Sequence, residues 1–315
     1  MSGARVTPIL PVELEAGPMA ISIKGLNKRY GSIQALDGLD LDVPEGAIYV
    51  LVGPNGAGKT TLLKVLMNLI RSEGGGAALL GLDTRKQGAL VRAQVGYVPE
   101  DHGVGYEWMG IGRLLEHCSA YYPTWDEGYA EELAAKLEID LTRRCAQLSK
   151  GQARRVQLLL AVAHRPPVLL MDEPTDGLDH LARDGMLEIL AEHLTDTPTT
   201  ALISTHRVYE IEKLVDHVGV IREGRLLVQM PTDLLRSRLR RYSADVPEGW
   251  QPDGKDPEGT LIRRPGLGRT VEWTVWGEEE RVVAELSGAG ARVQGSIPLT
   301  VDDAATALLS TGEAS

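Results

Sequence analysis

The chain has 315 residues, and 43% of them are hydrophobic, which is enough for one large domain and a smaller second one. Its net charge of −11 argues against a general nucleic-acid-binding protein, because such proteins usually carry a basic surface. The sequence has no signal-peptide pattern and no run of about 20 apolar residues, so we expect a soluble protein that reaches a membrane only through a partner. The two cysteines and seven histidines show no metal-ligand spacing, which predicts no structural metal.

The N-terminal part predicts an antiparallel β element that leads into a buried strand. Residues 1–19 are polar with scattered Pro and Gly, which predicts a flexible tail. Alternating apolar residues at 20–26 and 39–43 are typical of half-buried strands. The continuous apolar run at 47–52 is typical of a parallel strand covered on both faces, and a helical pattern follows at 61–67.

The middle of the chain predicts a helical subdomain at about 101–166, in which 129–137 and 151–164 are amphipathic. Apolar runs at 168–171 and 200–204 predict further buried strands. Because strands alternate with helices, we expect a mainly parallel α/β sheet in a domain that covers 20–235.

Residues 236–315 are predicted to form a C-terminal accessory domain. A basic helical segment over 234–241 and a link rich in Pro, Gly and Asp at 246–259 lead into it. The elements predicted after this link are a strand at 270–276, a helix at 278–286, a strand at 291–297 and a helix at 301–309. The pattern indicates a small α+β unit.

Four arginines, Arg236, Arg238, Arg240 and Arg241, make the segment 234–241 basic. They could face anionic lipid headgroups beneath a membrane protein. The alternative is a solvated helix face paired with nearby acids, and we favour this second interpretation.

A glycine-rich segment with the pattern GxxxxGK[ST] lies between a predicted strand and a predicted helix. Its glycines let backbone N–H groups wrap phosphates, and the N-terminus of the following helix adds partial positive charge. Lys59 can reach the β- and γ-phosphates, and the Thr60 hydroxyl can bind Mg²⁺. The predicted nucleotide-binding residues here are Gly53, Pro54, Asn55, Gly56, Ala57, Gly58, Lys59, Thr60 and Thr61.

Two acids, Asp172 and Glu173, follow the apolar run at 168–171. An acid at the carboxyl end of a buried parallel strand can hold Mg²⁺ opposite Thr60. Glu173 is then placed to polarise a water for attack on the γ-phosphate. An ordinary strand end with exposed acids is the alternative, but the phosphate-binding segment upstream favours the magnesium site.

The segment Leu148-Ser149-Lys150-Gly151-Gln152 precedes an amphipathic helix, and here the sequence resembles the ABC ATPase family, whose signature usually reads LSGGQ. Ordinary P-loop kinases and GTPases lack this signature. The resemblance covers about residues 20 to 235 and is supported, in order, by Tyr30, the P-loop, the signature, Asp172-Glu173-Pro174-Thr175, Gly177-Leu178-Asp179 and Ser204-Thr205-His206. It implies a P-loop NTPase of ABC type, an α/β fold with an antiparallel β subdomain, a helical subdomain and a small C-terminal α+β appendage.

The resemblance also implies a shared ATP site in a head-to-tail dimer. Ser149 and Gly151, together with Gln152, match signature groups that contact the ATP held by the other subunit. Asp179 matches the loop that crosses the dimer interface. Tyr30 matches the aromatic residue that stacks on adenine, although a core tyrosine is the alternative.

The implied catalytic residues are Lys59, Glu173 and His206. His206 matches the residue that bonds the γ-phosphate and holds Glu173 and water in place. The implied magnesium ligands are Thr60, Asp172 and Glu100.

Two positions depart from the family pattern. Glu100 stands where the family commonly has a Gln that senses Mg²⁺ and water, in a loop that touches the permease. A carboxylate can still ligate Mg²⁺, but it adds negative charge near the phosphates; a displaced loop glutamate is the alternative. Lys150 stands at a position that is usually glycine, and we expect its side chain to point outward.

The segment 121–126, the LSKGQ variant and the C-terminal appendage look similar to ATPases of bacterial antibiotic and sodium exporters. We therefore expect a cytoplasmic ATPase that binds ATP and Mg²⁺, pairs with a second ATPase subunit and works at the inner face of the membrane through a separate permease. Two alternatives are a soluble ABC ATPase acting on ribosomes or nucleic acid, and a regulatory module that uses ATP only to switch shape. Intact Glu173 and His206 argue against the second alternative.

Overall fold

The computed structural model describes residues 17–250 and 256–310. The tail predicted at 1–19 lies outside these residues except for its end, where Met19 already begins a strand. None of the helices in the described part of the chain combines the length and the apolar character needed to cross a membrane.

The described residues form strands and helices that alternate through most of the chain. The strands are β1 (Met19–Tyr30), β2 (Ile33–Pro44), β3 (Ile48–Val52), β4 (Gly74–Leu79), β5 (Leu82–Asp83), β6 (Val95–Val98), β7 (Val168–Asp172), β8 (Thr200–Thr205), β9 (His217–Arg222), β10 (Arg225–Pro231), β11 (Leu239–Asp245), β12 (Thr260–Pro265), β13 (Thr270–Trp276) and β14 (Arg292–Pro298). The α-helices are α1 (Lys59–Leu66), α2 (Gly88–Ala93), α3 (Ile111–Ser119), α4 (Glu127–Lys136), α5 (Lys150–Val162), α6 (His180–Asp196), α7 (Thr232–Arg238), α8 (Glu279–Gly288) and α9 (Val301–Ser310).

The first sheet is antiparallel, with the strand order β2-β1-β4-β5. The predicted strands at 20–26 and 39–43 are confirmed as parts of β1 and β2, with Ile21 opposite Val43 and Leu26 opposite Leu39. The alternation arises because one face of the sheet packs on the core and the other meets solvent.

The central sheet has the order β10-β9-β3-β8-β7-β6, in which all neighbouring strands are parallel except the edge pair β9–β10. The predicted strands at 47–52, 168–171 and 200–204 are confirmed as β3, β7 and β8. Every residue of β7 and β8 is buried, which explains the apolar runs at 168–171 and 201–203. Because parallel strands end at one edge, the residues after β3, β6, β7 and β8 meet there.

Helices α3, α4 and α5 lie within the predicted helical region, and the two amphipathic segments are confirmed as α4 and α5. Asp126 is the N-cap of α4, and its side chain accepts a hydrogen bond from the Tyr129 amide. The apolar faces of these helices join one core with strands of the central sheet. The helical subdomain is therefore packed directly against the sheet that carries the P-loop.

The C-terminal sheet has the order β12-β13-β11-β14; it corrects one prediction and contains one strand that was not predicted. The helix predicted at 234–241 ends at Arg238, and Leu239 begins β11. Tyr242 and Ala244 of β11 are buried in a small core with Trp273, so tertiary packing overrides the local helical pattern. The predicted link at 246–259 is followed by β12, a partly exposed edge strand without a clear apolar pattern.

Helix α9 packs on the core of the preceding domain. Val301 and Leu308 belong to the same apolar cluster as Val208 and Ile211. The Arg222 Nη1 atom also donates a hydrogen bond to the Leu309 carbonyl at 2.8 Å. A domain boundary near 235 thus remains a prediction, because α9 shares its core with residues on the other side of that boundary.

The basic cluster near 236–241 is paired with acids, as favoured above. The nitrogen-to-oxygen distances are 3.0 Å for Arg236–Glu212, 2.6 Å for Arg238–Glu278, 3.3 Å for Arg240–Glu279 and 3.8 Å for Arg241–Asp303. Two of these arginines lie on a strand, so the expected common helix face is wrong. Paired arginines are poorly suited to bind lipid phosphates, because each carboxylate would compete for the guanidinium.

Candidate functional site

The P-loop connects β3 to α1 and needs glycine at two points of close approach. A Cβ on Gly58 would lie 2.4 Å from the Ala35 carbonyl oxygen, and one on Gly53 would lie 2.3 Å from that of Ile221. Gly58 also has a φ of 110°, which side chains with a Cβ rarely adopt. The loop therefore holds its shape only with glycines, and it ends at the N-terminus of α1, where free N–H groups favour an anion.

Lys59 is almost completely buried beneath this loop. Its Nζ atom donates a hydrogen bond to the Gly53 carbonyl at 2.7 Å and lies 3.4 Å from Glu173 Oε1. The contact with the Pro54 carbonyl is longer, at 3.4 Å. The lysine is thus held at the floor of the site, between the loop and the acid that follows β7.

A cavity of about 490 Å³ lies above the P-loop and brings together most of the predicted site residues. The predicted residues that line it are Tyr30, Asn55, Gly56, Ala57, Gly58, Lys59, Thr60, Thr61, Glu100, Glu173 and His206. Gly53 and Pro54 are not among the lining residues and contribute carbonyls to Lys59 instead. This volume suits a ligand of nucleotide size.

Four lining residues were missed by the sequence analysis: Ile33, Ala35, Asp176 and Arg207. Ile33 lies directly opposite Tyr30 in the β1–β2 hairpin and is 68% exposed, so the two form an open apolar surface. Exposure of a large apolar side chain beside an aromatic one is the signal that could have found it, once the hairpin register was known. Arg207 and Asp176 each lie within three residues of a predicted site residue.

Asp172, Thr60 and Glu100 were tested as magnesium ligands by their hydrogen-bonding state. The Ser204 hydroxyl donates to Asp172 Oδ1, whereas Asp172 Oδ2 is buried without a partner among the described residues. The Thr60 hydroxyl donates to Glu100 Oε2 at 3.2 Å. Burial raises the pKa of Asp172, the Ser204 and Thr60 hydroxyls act in the opposite direction, and the charges of Glu100 and Glu173 add to the effect of burial. An unpartnered carboxylate oxygen among other oxygen donors fits a Mg²⁺ ion.

Glu173 lies between Lys59 and His206. Its backbone has a φ of 45°, a conformation unusual for a residue with a side chain. Its Oε2 atom lies 2.9 Å from His206 Nδ1 and accepts a longer hydrogen bond from the His206 amide. A carboxylate fixed between a lysine and an imidazole, beside a phosphate-binding loop, can orient a water for attack.

The signature residues lie outside the cavity, at the start of α5. The exposed Ser149 is the N-cap of this helix, and its hydroxyl accepts a hydrogen bond from the Gln152 amide at 3.2 Å. The Gln152 side chain in turn accepts one from the Ser149 amide at 3.0 Å. Lys150 is exposed, as expected. A capping box therefore fixes the end of α5.

Asp179 also lies outside the cavity and caps α6. Its Oδ1 atom accepts a hydrogen bond from the Ala182 amide at 2.9 Å. Leu178, which precedes Asp179, packs against the signature, since a Cβ on Gly151 would lie 3.4 Å from Leu178 Cδ2. The signature and the loop 176–179 thus form one exposed surface.

Comparison with known proteins relates the chain to ABC transporter proteins. Residues 36–176 match the family model described as "ABC transporter". The chain is 31% identical to the ABC transporter ATP-binding protein YtrB of Bacillus subtilis over 216 residues, which cover 69% of this chain and 73% of that protein. It is 33% identical to the bacitracin transport ATP-binding protein BcrA of Bacillus licheniformis over 223 residues, covering 70% and 73%. A solved ATP-binding subunit of an ABC transporter superimposes with a TM-score of 0.63 at 28% identity, covering 69% of this chain and 92% of that structure.

Proposed function

This chain belongs to the family of ABC transporter ATP-binding proteins, and on that premise we propose that two ATPase subunits assemble head to tail and power export through a separate membrane permease. The chain is an ATPase, and ATP is its substrate. We propose that ATP binding closes the dimer and moves the permease, and that hydrolysis resets it.

The observation that carries this proposal is the separation of the signature from the cavity. Lys59, Thr60 and Glu173 line the cavity, whereas Ser149 and Gly151 do not. The signature therefore forms no part of the wall of its own chain's cavity. Placed against the cavity of a second subunit, the exposed end of α5 would offer a hydroxyl and a helix N-terminus to the γ-phosphate.

Within the cavity, we assign hydrolysis to three residues. Lys59 holds the β- and γ-phosphates, and Glu173 polarises the attacking water. His206, which already contacts Glu173, bonds the γ-phosphate and keeps that carboxylate oriented. The positive φ of Glu173 supports this role, because a strained backbone is often retained where a side chain must be aimed.

We propose that Mg²⁺ is held by Thr60, Asp172 and Glu100. When bound, it supplies neutralisation of the phosphate charge. The Thr60–Glu100 hydrogen bond and the unpartnered oxygen of Asp172 support this assignment. Tyr30, which is 47% exposed at the open end of the cavity, is assigned to the adenine ring, and Ile33 extends the same apolar surface.

The helical subdomain offers a surface for the permease. Tyr106, Trp108 and Tyr121 are exposed, with Trp108 at 73%, and the first two follow the loop that carries Glu100. Exposed aromatic residues grouped in this way are typical of interaction surfaces. We propose that the ATPase is attached to the inner face of the membrane through this contact.

The dimer is tested with Glu173→Gln, which should bind ATP but hydrolyse it slowly. Saturated with Mg-ATP, this variant should elute as a dimer in size-exclusion chromatography with light scattering, alone or with its related companion subunit. The same variant without nucleotide is the control and should be a monomer. A variant that stays monomeric with Mg-ATP in both situations would contradict the shared site.

The permease is tested by affinity purification of the tagged chain from detergent-solubilised membranes. An integral membrane protein should co-purify with it, and Trp108→Ala should reduce that recovery. Recovery with ribosomes instead would favour the soluble ABC ATPase.

A further inference from the structure

Arg154 is a fully buried arginine in α5, five residues after the signature serine. Its Nη1 atom donates to the Pro99 carbonyl and, at 3.0 Å, to Gln157 Oε1. Its Nη2 atom donates at 3.0 Å to the Glu100 carbonyl. The guanidinium therefore binds the backbone of the segment that presents Glu100 to Thr60.

Gln157, one turn further along α5, extends this attachment. Its Nε2 atom donates to the Asp101 carbonyl at 2.6 Å and to the Gly103 carbonyl at 3.0 Å. Successive carbonyls of the loop 99–103 are thus held by two side chains of one helix. When α5 moves, this loop must move with it or break these hydrogen bonds.

Nearby acids attract the charge of Arg154, but none of the described carboxylates bonds its guanidinium. No carboxylate among residues 17–250 and 256–310 forms an ion pair with it, and its Nε atom has no partner in this part of the chain. A buried charge without an acidic partner is costly. Its other N–H groups are used on carbonyls and on His102, which gives the loop a defined position relative to α5.

His102 connects the same guanidinium to the loop 176–179. Arg154 Nη2 donates to His102 Nδ1 at 3.0 Å, so the neutral ring carries its hydrogen on Nε2. A Cβ on Gly177 would lie 3.1 Å from this Nε2 atom, so the backbone of the loop packs directly on the ring. Gly177 has a φ of 75°, which suits glycine at this contact.

We propose that Arg154 is a positioning residue that locks Glu100 and the loop 176–179 to the signature helix, so that one ATP site and the signature lent to the other site move together. This inference rests on the proposed function, because it takes the roles of Glu100 and Ser149 from there. Arg154 does not line the cavity, so it acts through Glu100 and not on the nucleotide.

The test uses the full chain with Arg154→Lys, which keeps the charge but has one nitrogen in place of the two that span Pro99, Glu100 and His102. We expect kcat to fall by up to about tenfold, no further than in Glu100→Ala. The KM for ATP should change less than about threefold, since the cavity lining is intact. The free Mg²⁺ concentration at half-maximal activity should rise, as in Glu100→Ala. A general loss of stability would not raise this concentration.

Two further variants make the result decisive. In Arg154→Lys/Glu100→Ala the losses in kcat should not multiply. The kcat of the double variant should lie within about twofold of that of the less active single variant. Arg165→Lys is the control: this arginine bonds Asp126 and lies over the Tyr129 ring, away from the loop 99–103. It should keep kcat within about twofold of wild type.

Amide hydrogen exchange gives a readout that does not depend on turnover. Exchange in residues 99–103 should rise about tenfold in Arg154→Lys and stay unchanged in Arg165→Lys. Unchanged exchange, a kcat equal to wild type, or losses that multiply with Glu100→Ala would each overturn the positioning role. Failure of the proposed function would appear separately, as a wild-type chain without ATPase activity or a monomeric Glu173→Gln variant with Mg-ATP.

Discussion

The two halves of the proposed ATP site, the P-loop and the signature, are built in opposite ways. The P-loop encloses its functional lysine, which is 5% exposed and bonded to the loop's own carbonyl. The signature presents an exposed Ser149, whose hydroxyl bonds only within the first turn of its own helix among the described residues. The P-loop half is a cavity lined by residues of one chain, and the signature half is an exposed helix N-terminus.

Because of this difference, we expect ATP binding to need one subunit and ATP hydrolysis to need two. The cavity above the P-loop can bind a nucleotide within one subunit, because all its contacts come from the same chain. A presented helix end can act only on a nucleotide held elsewhere. The variants below are designed to break or sharpen this comparison, from the largest expected effect to the smallest.

Lys59→Ala removes the buried positive charge beneath the P-loop. ATPase activity should fall by about a thousandfold or more, because the β- and γ-phosphates lose their main side-chain contact. Binding of a fluorescent ATP analogue to the single subunit should weaken as well. Lys64→Ala, on the same helix but outside the cavity, is the control and should keep near wild-type activity. Equal behaviour of the two variants would disprove the assigned role of Lys59.

Gly151→Asp alters the signature without touching the cavity. Activity should fall by about a hundredfold through the added negative charge near the partner's phosphate, while binding of ATP to the single subunit should stay the same. The exposed Lys150→Ala is the neighbouring control, and its activity should remain within about threefold of wild type.

Mixing inactive variants tests the comparison most directly. A dimer of Lys59→Ala with Gly151→Asp contains one site with both an intact P-loop and an intact signature. The mixture should therefore hydrolyse more ATP than either variant alone. Activity that merely averages the two would mean that each chain completes its own site.

Glu100→Ala and Glu100→Gln test the unusual acid beside Thr60. The alanine variant should lose about tenfold in activity and need more free Mg²⁺, and the glutamine variant should be affected less because it keeps a side-chain oxygen. Glu107→Gln, an exposed glutamate nearby, is the control. If neither Glu100 variant changes the rate or its Mg²⁺ dependence, Glu100 is a displaced loop residue.

The last prediction concerns stability and not turnover, in the packing next to the signature helix, where His164 and His193 are buried. Burial lowers the pKa of each imidazole from 6.5 to about 4. The unfolded chain therefore binds more protons between these values, so the free energy of unfolding should fall as the pH drops from 6.5 towards 4. At about 1.4 kcal/mol per pKa unit, the loss approaches about 3 kcal/mol for each histidine.

Urea denaturation at pH 7 and pH 4.5 measures this loss. His164→Phe keeps the stacking on Tyr122 and should remove about half of the loss. His180→Gln is the control, because His180 is exposed beside Asp184. An unchanged pH dependence in His164→Phe would show that this imidazole is solvated.

Much of the fold and of the P-loop site could be predicted from local sequence. The runs at 47–52 and 168–171 are strands because they are apolar throughout, and the loop between Gly53 and Lys59 has one workable shape. The basic segment 234–241 was misread because its local pattern is helical, whereas burial of Tyr242 with Trp273 makes its end a strand.

Residues brought in from distant parts of the chain could not be predicted. Ile33 and Arg207 lie close in sequence to the predicted Tyr30 and His206, but neither belongs to a motif, and only the folded hairpin and the end of β8 place them at the cavity. Arg154 stands in an amphipathic helix as an ordinary basic residue, and its contacts with the loop 99–103 exist only after α5 packs against β6.

The sequence by itself determined the phosphate-binding loop, the order of the motifs and the family, because each is a short contiguous pattern with local geometric consequences. The tertiary structure alone decided that Glu173 lies between Lys59 and His206, that the signature does not line its own cavity, and that α9 joins the core of the ATPase domain. These features depend on contacts between residues far apart in the chain. Such contacts are fixed by burial and by the common edge of the parallel strands, which no local pattern encodes.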